Sequence, residues 1–254
     1  HGPSRETDNV KRSDFDRLVS ERVLIADGAM GTMLYQSGIF LNRCFDELNV
    51  SDPNRVRKVH EGYVAAGADI IETNTFGANR LKLSKSGLIG EVEAINQAGV
   101  RIAREAAADG VLVAGAIGPL GSELTELGPV AAQEATDIFR QQGAALVQAD
   151  VDLLILETFT NPEELLVAAQ AVAGLDADIP IIAQITVTES NETPYGEPID
   201  QAVGRIAQLD AVTAVGLNCS VGPSSMLSSL EMIRGVTEKP IAVQPNAGMP
   251  RQVE

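Results

Sequence analysis

Seven times along this chain, a short run of β-branched and other apolar residues leads into a polar or glycine-rich loop and, six times, on to an amphipathic stretch of helical period. The runs cover residues 23–27, 69–75, 111–117, 151–157, 179–187, 212–219 and 241–246. Strands that read as continuous apolar runs are buried on both faces, the condition of a parallel sheet covered by helices. Helices are expected at 53–66, 91–107, 131–148, 162–173, 199–209 and 224–235. Pro53, Pro162 and Pro198 lie at or beside their starts, where a missing N–H costs little. An open doubly wound sheet and a closed barrel both accept this repeat. The repeat is even, nearly every run ends in polar residues, and Asp27-Gly28-Ala29-Met30-Gly31 lacks the Gly-x-Gly-x-x-Gly spacing of a dinucleotide site. The expected fold is therefore α/β, a (β/α)8 TIM barrel whose eighth strand is missing from the sequence.

The chain has 254 residues, 44% of them apolar, enough for one barrel and its core. No linker or shift in composition marks a second domain. Residues 1–16 read as a polar N-terminal extension, with His1-Gly2-Pro3-Ser4 resembling an expression-tag remnant, and residues 17–254 as the barrel. Lys and Arg number 19 against 35 Asp and Glu, for a formal charge of −16, a field that repels phosphate backbones and excludes nucleic acid as a partner. No apolar run approaches the roughly 20 residues that span a bilayer, and no signal-peptide core is present, so no membrane partner is expected. Two cysteines make no disulfide framework, which places the chain in the cytoplasm and makes the sequons at Asn49 and Asn191 incidental.

In such barrels the chemistry sits at the C-terminal ends of the strands. Those ends carry Asp27, Thr73-Asn74-Thr75, Gly118, Glu157-Thr158, Thr186, Asn218-Cys219 and Gln244 to Asn246. Carboxylates suit an ammonium, while amide and hydroxyl donors suit a carboxylate, so the set fits a small zwitterion. Asp27 opens a glycine-flanked turn that is either a capped βα turn or a backbone nest for an anion. Glu157 ends a fully buried run and needs a partner, either a structural cation or a ligand. Thr73-Asn74-Thr75-Phe76-Gly77 reads as a turn or as ligand contacts, and Phe76 and Phe159 as core or as apolar walls. Cys219 is either a small buried hydrophobe or, at a strand end, a nucleophile or metal ligand. Only His1 and His60 could serve it as a base, and His60 falls on a helix, where it is solvated or packed; Cys–His catalysis and a multi-histidine metal site are disfavoured. Cys44 reads as structural.

Asp27-Gly-Ala-Met-Gly-Thr-Met-Leu, Glu72-Thr-Asn-Thr-Phe-Gly, Leu156-Glu-Thr-Phe, Gly216-Leu-Asn-Cys-Ser-Val-Gly-Pro and Pro245-Asn-Ala-Gly-Met-Pro together resemble the homocysteine S-methyltransferase family. The likeness is to the homocysteine-binding module of methionine synthases, or of bacterial fusions of this module to methylenetetrahydrofolate reductase. Asn42-Arg-Cys-Phe-Asp-Glu-Leu and Ala116-Ile-Gly-Pro-Leu-Gly lean towards the fused type. The resemblance implies a barrel with catalytic zinc on three cysteine thiolates, of which Cys219 is the first. The other two would lie in a Gly-Gly-Cys-Cys motif after the eighth strand, beyond Glu254, so the stretch given is expected to be inactive alone. It further implies Cys219 and Glu157 as catalytic residues. Asp27 and Glu157 would bind the homocysteine amino group, and the backbone N–H groups of Gly28, Ala29, Met30 and Gly31 its carboxylate. Thr73 and Asn74 would add substrate contacts, and Asn218 would support the cysteine loop. The implied methyl donor is methylcobalamin or a methyltetrahydrofolate-derived methyl group, bound mainly by another module or domain. The oligomeric state is not set.

Two other readings stay open on the residues alone. One is a barrel enzyme of aldolase or phosphosugar class, although no strand ends in a lysine and Pro245-Asn-Ala-Gly is a poor phosphate loop. The other is a catalytically inactive amino-acid-binding fragment.

Overall fold

The computed structural model describes residues 10–40, 43–121 and 128–247. Six parallel strands form one sheet in sequence order: β1 (Ile70–Glu72), β2 (Leu112–Ile117), β3 (Leu153–Phe159), β4 (Ile181–Ile185), β5 (Ala214–Asn218) and β6 (Ile241–Gln244). The sheet is curled: Gln244 at the end of β6 donates to Glu72 at the end of β1 over 2.6 Å, a contact between the first and last strands that a flat sheet forbids. The fold is an incomplete TIM barrel. Helices α3 (Leu48–Ser51) and α5 (Arg80–Ser84) are short turns; helices α4 (Pro53–Ala65), α6 (Val92–Ala106), α7 (Gly128–Gln148), α8 (Pro162–Ala173), α9 (Ile199–Ala207) and α10 (Pro223–Ile233) fall where the apolar period predicts them, with ends shifted by a few residues at most.

The expected strand at 23–27 does not form. Only Ala26 bridges to Ile70, supported by backbone bonds from Asp69 and Ile70 to Ile25 and from Asp27 to Ile70. The segment runs beside β1, and its other side pairs with no strand among the described residues, leaving Val23 81% and Ile25 56% exposed. Arg22 holds the start of this segment by a two-pronged ion pair with Asp69 at 2.7 and 2.8 Å. β6, at the opposite edge, is half-buried along its length, whereas β2, β4 and β5 are buried throughout.

Alternation along each strand separates two cores. On β3, Leu154 and Leu156 face the helices, while Leu153 and Ile155 face the lumen with Leu112, Ala114, Ala116 and Ile182. The lumen is therefore packed with apolar side chains at its base. Its plug comes from the stretch read as a polar extension: α1 (Arg12–Glu21) starts with the Arg12 N–H bonded to the Asp178 carbonyl and inserts Phe15, 2% exposed, beneath Ile70 and Leu112. Phe15, Leu18 and Val19 keep the i, i+3, i+4 spacing of one helix face, a signal that the charged residues around them mask. At Gly216 the strands leave no room for a side chain, since a Cβ there would lie 2.1 Å from the Ala242 carbonyl oxygen.

Phe15→Ala is expected to destabilise the chain by about 3–5 kcal/mol, the cost of emptying a buried aromatic site. Urea denaturation checks this, and a change within about 0.5 kcal/mol would show that α1 does not close the barrel base.

Candidate functional site

Above Ile155 the lumen turns polar. Counting by two from Ile70 brings Glu72 inward, counting from Ile155 brings Glu157, and Gln244 and Asn218 follow on β6 and β5. Asp27 joins them from the segment beside β1, its Oδ2 accepting the Glu72 backbone N–H at 3.0 Å. Glu72 and Glu157 lie close enough to interact, and their contact raises the Glu157 carboxyl further while it pulls that of Glu72 down. Three carboxyl groups thus meet, half-buried, at the mouth of the lumen. Burial is the main cause, and mutual repulsion the second, of the raised pKa values: Asp27 is pushed up to about 9, by burial and then by Glu72, and Glu157 well above the usual carboxylate range by burial and then by Glu72. Glu72 is also raised by burial, with the Gln244 and Glu157 donors pulling it back. Asp27 Oδ1 and Gln244 Oε1 are buried without a partner among the described residues.

Beside the carboxyls lies the thiol. The register of β3 against β4 slips between Leu156 and Phe159, and Thr158 at the slip has φ 59°. This bulge leaves Glu157 on the lumen side and returns Phe159 to the helix side, where it packs on Phe139 with ring centroids 5.9 Å apart. Cys219 and Ser220 have φ 61° and 62°, a left-handed pair that turns the chain as it leaves β5. The Asn218 amide joins the two ends: its Oδ1 accepts the Thr158 N–H at 2.8 Å, and its Nδ2 lies 2.9 Å from Thr158 Oγ1, 3.4 Å from Glu157 Oε2 and 3.7 Å from Cys219 Sγ. Thr158 Oγ1 is 3.5 Å from the same sulfur. Burial first, and then the Glu157 and Glu72 charges, raise the Cys219 thiol pKa, while the Thr158 hydroxyl opposes them.

The expected residues are placed unevenly. Gly28 and Ala29 are exposed at the mouth, Met30 and Gly31 begin the short helix α2 (Met30–Gln36), and Tyr63 from α4 props this turn by donating to the Ala29 carbonyl at 3.1 Å. Thr73 and Asn74 lie behind the mouth, buried. The Thr73 hydroxyl accepts from the Ala116 N–H and contacts Thr75 Oγ1 at 2.6 Å, while Asn74 donates to the Phe45 carbonyl and pairs with Asn49. Phe76 covers Gly118, where a Cβ would lie 2.3 Å from its ring, and the Lys82 ammonium sits 4.2 Å from its centroid. His60 is packed, fully buried, with a pKa pushed down to about 4 by burial. Cys44 is half-buried beside Asp46. The residues Glu72, Thr158 and Gln244 join the site without having been singled out as ligands. Counting by two from Ile70 would have found Glu72, had the strand not been expected to run on to residue 75.

Among the described residues no group of three or more His, Cys, Asp and Glu side chains is arranged to hold a metal. The chain has two cysteines, and only Cys219 stands at the mouth, so the residues present fit one corner of a thiolate metal site and not the whole. Among the described residues no helix is long and apolar enough to cross a membrane.

Comparison with known proteins gives a consistent picture. Residues 24–254 match the family described as "Homocysteine S-methyltransferase". The chain is 30% identical over 254 residues to methionine synthase of Mycobacterium tuberculosis, covering 94% of this chain and 21% of that protein. It thus spans about a fifth of the length of such curated relatives. The metallated form of the homocysteine methyltransferase MmuM from Escherichia coli superposes with a TM-score of 0.80 at 27% identity, over 91% of this chain and 86% of that one. The carboxyl transferase domain of Rhizobium etli pyruvate carboxylase, at 15% identity and a TM-score of 0.56 over 94% of this chain and 38% of that one, shares the fold alone.

The three raised carboxyls set a pH dependence. The folded chain keeps protons that the unfolded chain gives up near pH 4, so the stability they confer falls as pH rises, for Asp27 up to about pH 9. His60 acts with the opposite sign, but only below its unfolded value near 6.5. Between about pH 7 and about pH 9 the ligand-free chain is therefore expected to lose stability as pH rises, and Glu157→Gln to flatten that slope. Thermal unfolding across the window is the measurement; a parent slope unchanged in Glu157→Gln would remove the carboxyl cluster as its source.

Proposed function

Because this chain belongs to the homocysteine S-methyltransferase family, we propose that it is the module that binds homocysteine and presents its sulfur to a methyl donor, giving methionine. The observation that carries this reading is the span of Asn218: one amide touches the carboxyl cluster at Glu157 and the thiol of Cys219. A ligand with an ammonium at one end and sulfur at the other matches both ends. Asp27 Oδ1, buried and unpartnered, and Glu157 take the ammonium. The N–H groups of Gly28, Ala29, Met30 and Gly31, at the mouth, take the carboxylate. Thr73 and Asn74 hold the wall behind them, and Asn218 holds the cysteine loop.

Cys219 is proposed as one ligand of a zinc ion, with two further thiolates supplied from outside these 254 residues. Zinc at that point supplies Lewis acidity, which makes a thiol of pKa about 8.5 a nucleophile at neutral pH. The chain's own residues do the rest. Glu157 releases its proton as the ammonium arrives, since a cation beside a buried carboxyl favours its ionised form. Thr158 and Asn218 keep Cys219 oriented. The activated methyl group comes from methylcobalamin or a methyltetrahydrofolate-derived donor on another module or domain, in keeping with the fifth of the relatives' length that this chain spans.

Homocysteine is expected to bind the ligand-free chain with net proton release, read by calorimetry in buffers of different ionisation enthalpy. Asp27→Asn and Glu157→Gln are each expected to weaken it by about tenfold to a hundredfold, the loss of a charge-assisted hydrogen bond of about 1.5–3 kcal/mol. Unchanged affinity in both variants would refute the ammonium site. In a longer form of the chain that carries the further thiols, Cys219→Ser is expected to abolish stoichiometric zinc and methyl transfer together; retention of both would refute Cys219 as a ligand.

A further inference from the structure

Going up β4, the lumen-facing residues change from Ile182, in the apolar plug, to Gln184 and Thr186, which are 0% and 2% exposed. Ala183, Ile185 and Val187 all lie in the helix-side core, so the alternation carries Gln184 and Thr186 inward. Among the described residues neither amide atom of Gln184 nor the Thr186 hydroxyl has a hydrogen-bond partner. Buried polar groups are seldom left so, and a strand that carries two of them in succession is shaped for something that supplies the partners. β4 lies between β3, which carries Glu157, and β5, which leads into Cys219. Gln184 pairs with Gly216 and Ile185 with Leu217, so Thr186 stands level with Asn218. Gly216 puts no side chain beside Gln184. Both residues therefore stand, by register, on the strand between the one that carries Glu157 and the one that leads into Cys219.

The unpartnered groups repeat a chemistry already present one strand on either side. Cys219 Sγ is approached by a hydroxyl, Thr158 at 3.5 Å, and by a carboxamide, Asn218 at 3.7 Å. Gln184 and Thr186 are the same two donor types with no sulfur against them. We propose that Gln184 and Thr186 form a second sulfur cradle, which hydrogen-bonds the side-chain sulfur of the bound amino acid and selects it over a hydrocarbon chain of the same shape. The proposal rests on the amino-acid site described above and adds to it the residues that recognise the sulfur. A deprotonated sulfur accepts such bonds more strongly than a thiol, so the cradle also favours the reactive form. A hydrocarbon side chain in the same place would leave both groups unpaired, which is the source of selectivity.

The test uses the full chain with homocysteine and norvaline, which share a head group and chain shape and differ in sulfur against methyl. The parent is expected to prefer homocysteine. Gln184→Leu and Thr186→Val are each expected to cut that preference by about threefold to tenfold, as for one net hydrogen bond, by weakening homocysteine and not norvaline. Thr186→Ser is expected to restore it. Without ligand, Thr186→Val should melt no lower than the parent, because it removes a buried group that has no partner. Equal binding of both amino acids by the parent, or an undiminished preference in Thr186→Val, overturns the cradle and leaves the head-group site standing. Binding of neither amino acid by the parent overturns the amino-acid site and the cradle with it. If Gln184→Leu fails to fold, the Thr186 pair alone decides.

Discussion

Asp27, Glu72 and Glu157 are brought within mutual reach at the top of a lumen sealed from below by Phe15 and Ile155, and three carboxyls so placed cannot all ionise without a cation. The ligand-free chain resolves the conflict with protons. Burial and mutual repulsion raise Glu157 and Asp27 far above the usual carboxylate range. Most other features of the mouth follow from that conflict. Gln244 offers its N–H to Glu72 across the lumen, the Glu72 backbone N–H supports Asp27, and Asn218 approaches Glu157 from the other side. The chain carries a net charge of −16, yet the acids that shape the mouth are the three that the fold draws together.

The same packing links the acids to the sulfur. A slip in one strand places Glu157 inward and Phe159 outward, with Thr158 between them as the hinge of that change. Because the Asn218 amide at the end of β5 bonds Thr158 at the slip of β3, the carboxyl cluster and Cys219 are tied to strand ends.

Much of this was legible in the residues. Continuous apolar runs gave parallel strands in order, and the strand-end rule picked out Asp27, Glu157, Asn218 and Cys219. What stayed hidden has physical causes. The segment at 23–27 has the composition of a strand, but it lies at the sheet edge and makes one bridge, Ala26 to Ile70. Glu72 was obscured because the apolar-to-polar boundary was set at residue 75, whereas Thr73 and Thr75 turn back to bond Ala116 at 3.0 and 2.8 Å. The bulge at Thr158 leaves no sequence mark, since threonine is an ordinary strand residue. Gln184, amid isoleucines, looks like a polar slip until its direction is known.

Three non-glycine residues at the heart of the site, Thr158, Cys219 and Ser220, hold the left-handed backbone that glycine or asparagine adopts more readily. Selection for thermal robustness would therefore press towards Gly or Asn at those positions, and each such change strips a hydroxyl or the thiol from the mouth. Stability and competence are set against each other at these three positions, and what a screen for heat resistance would repair as a flaw is the feature that aims the sulfur.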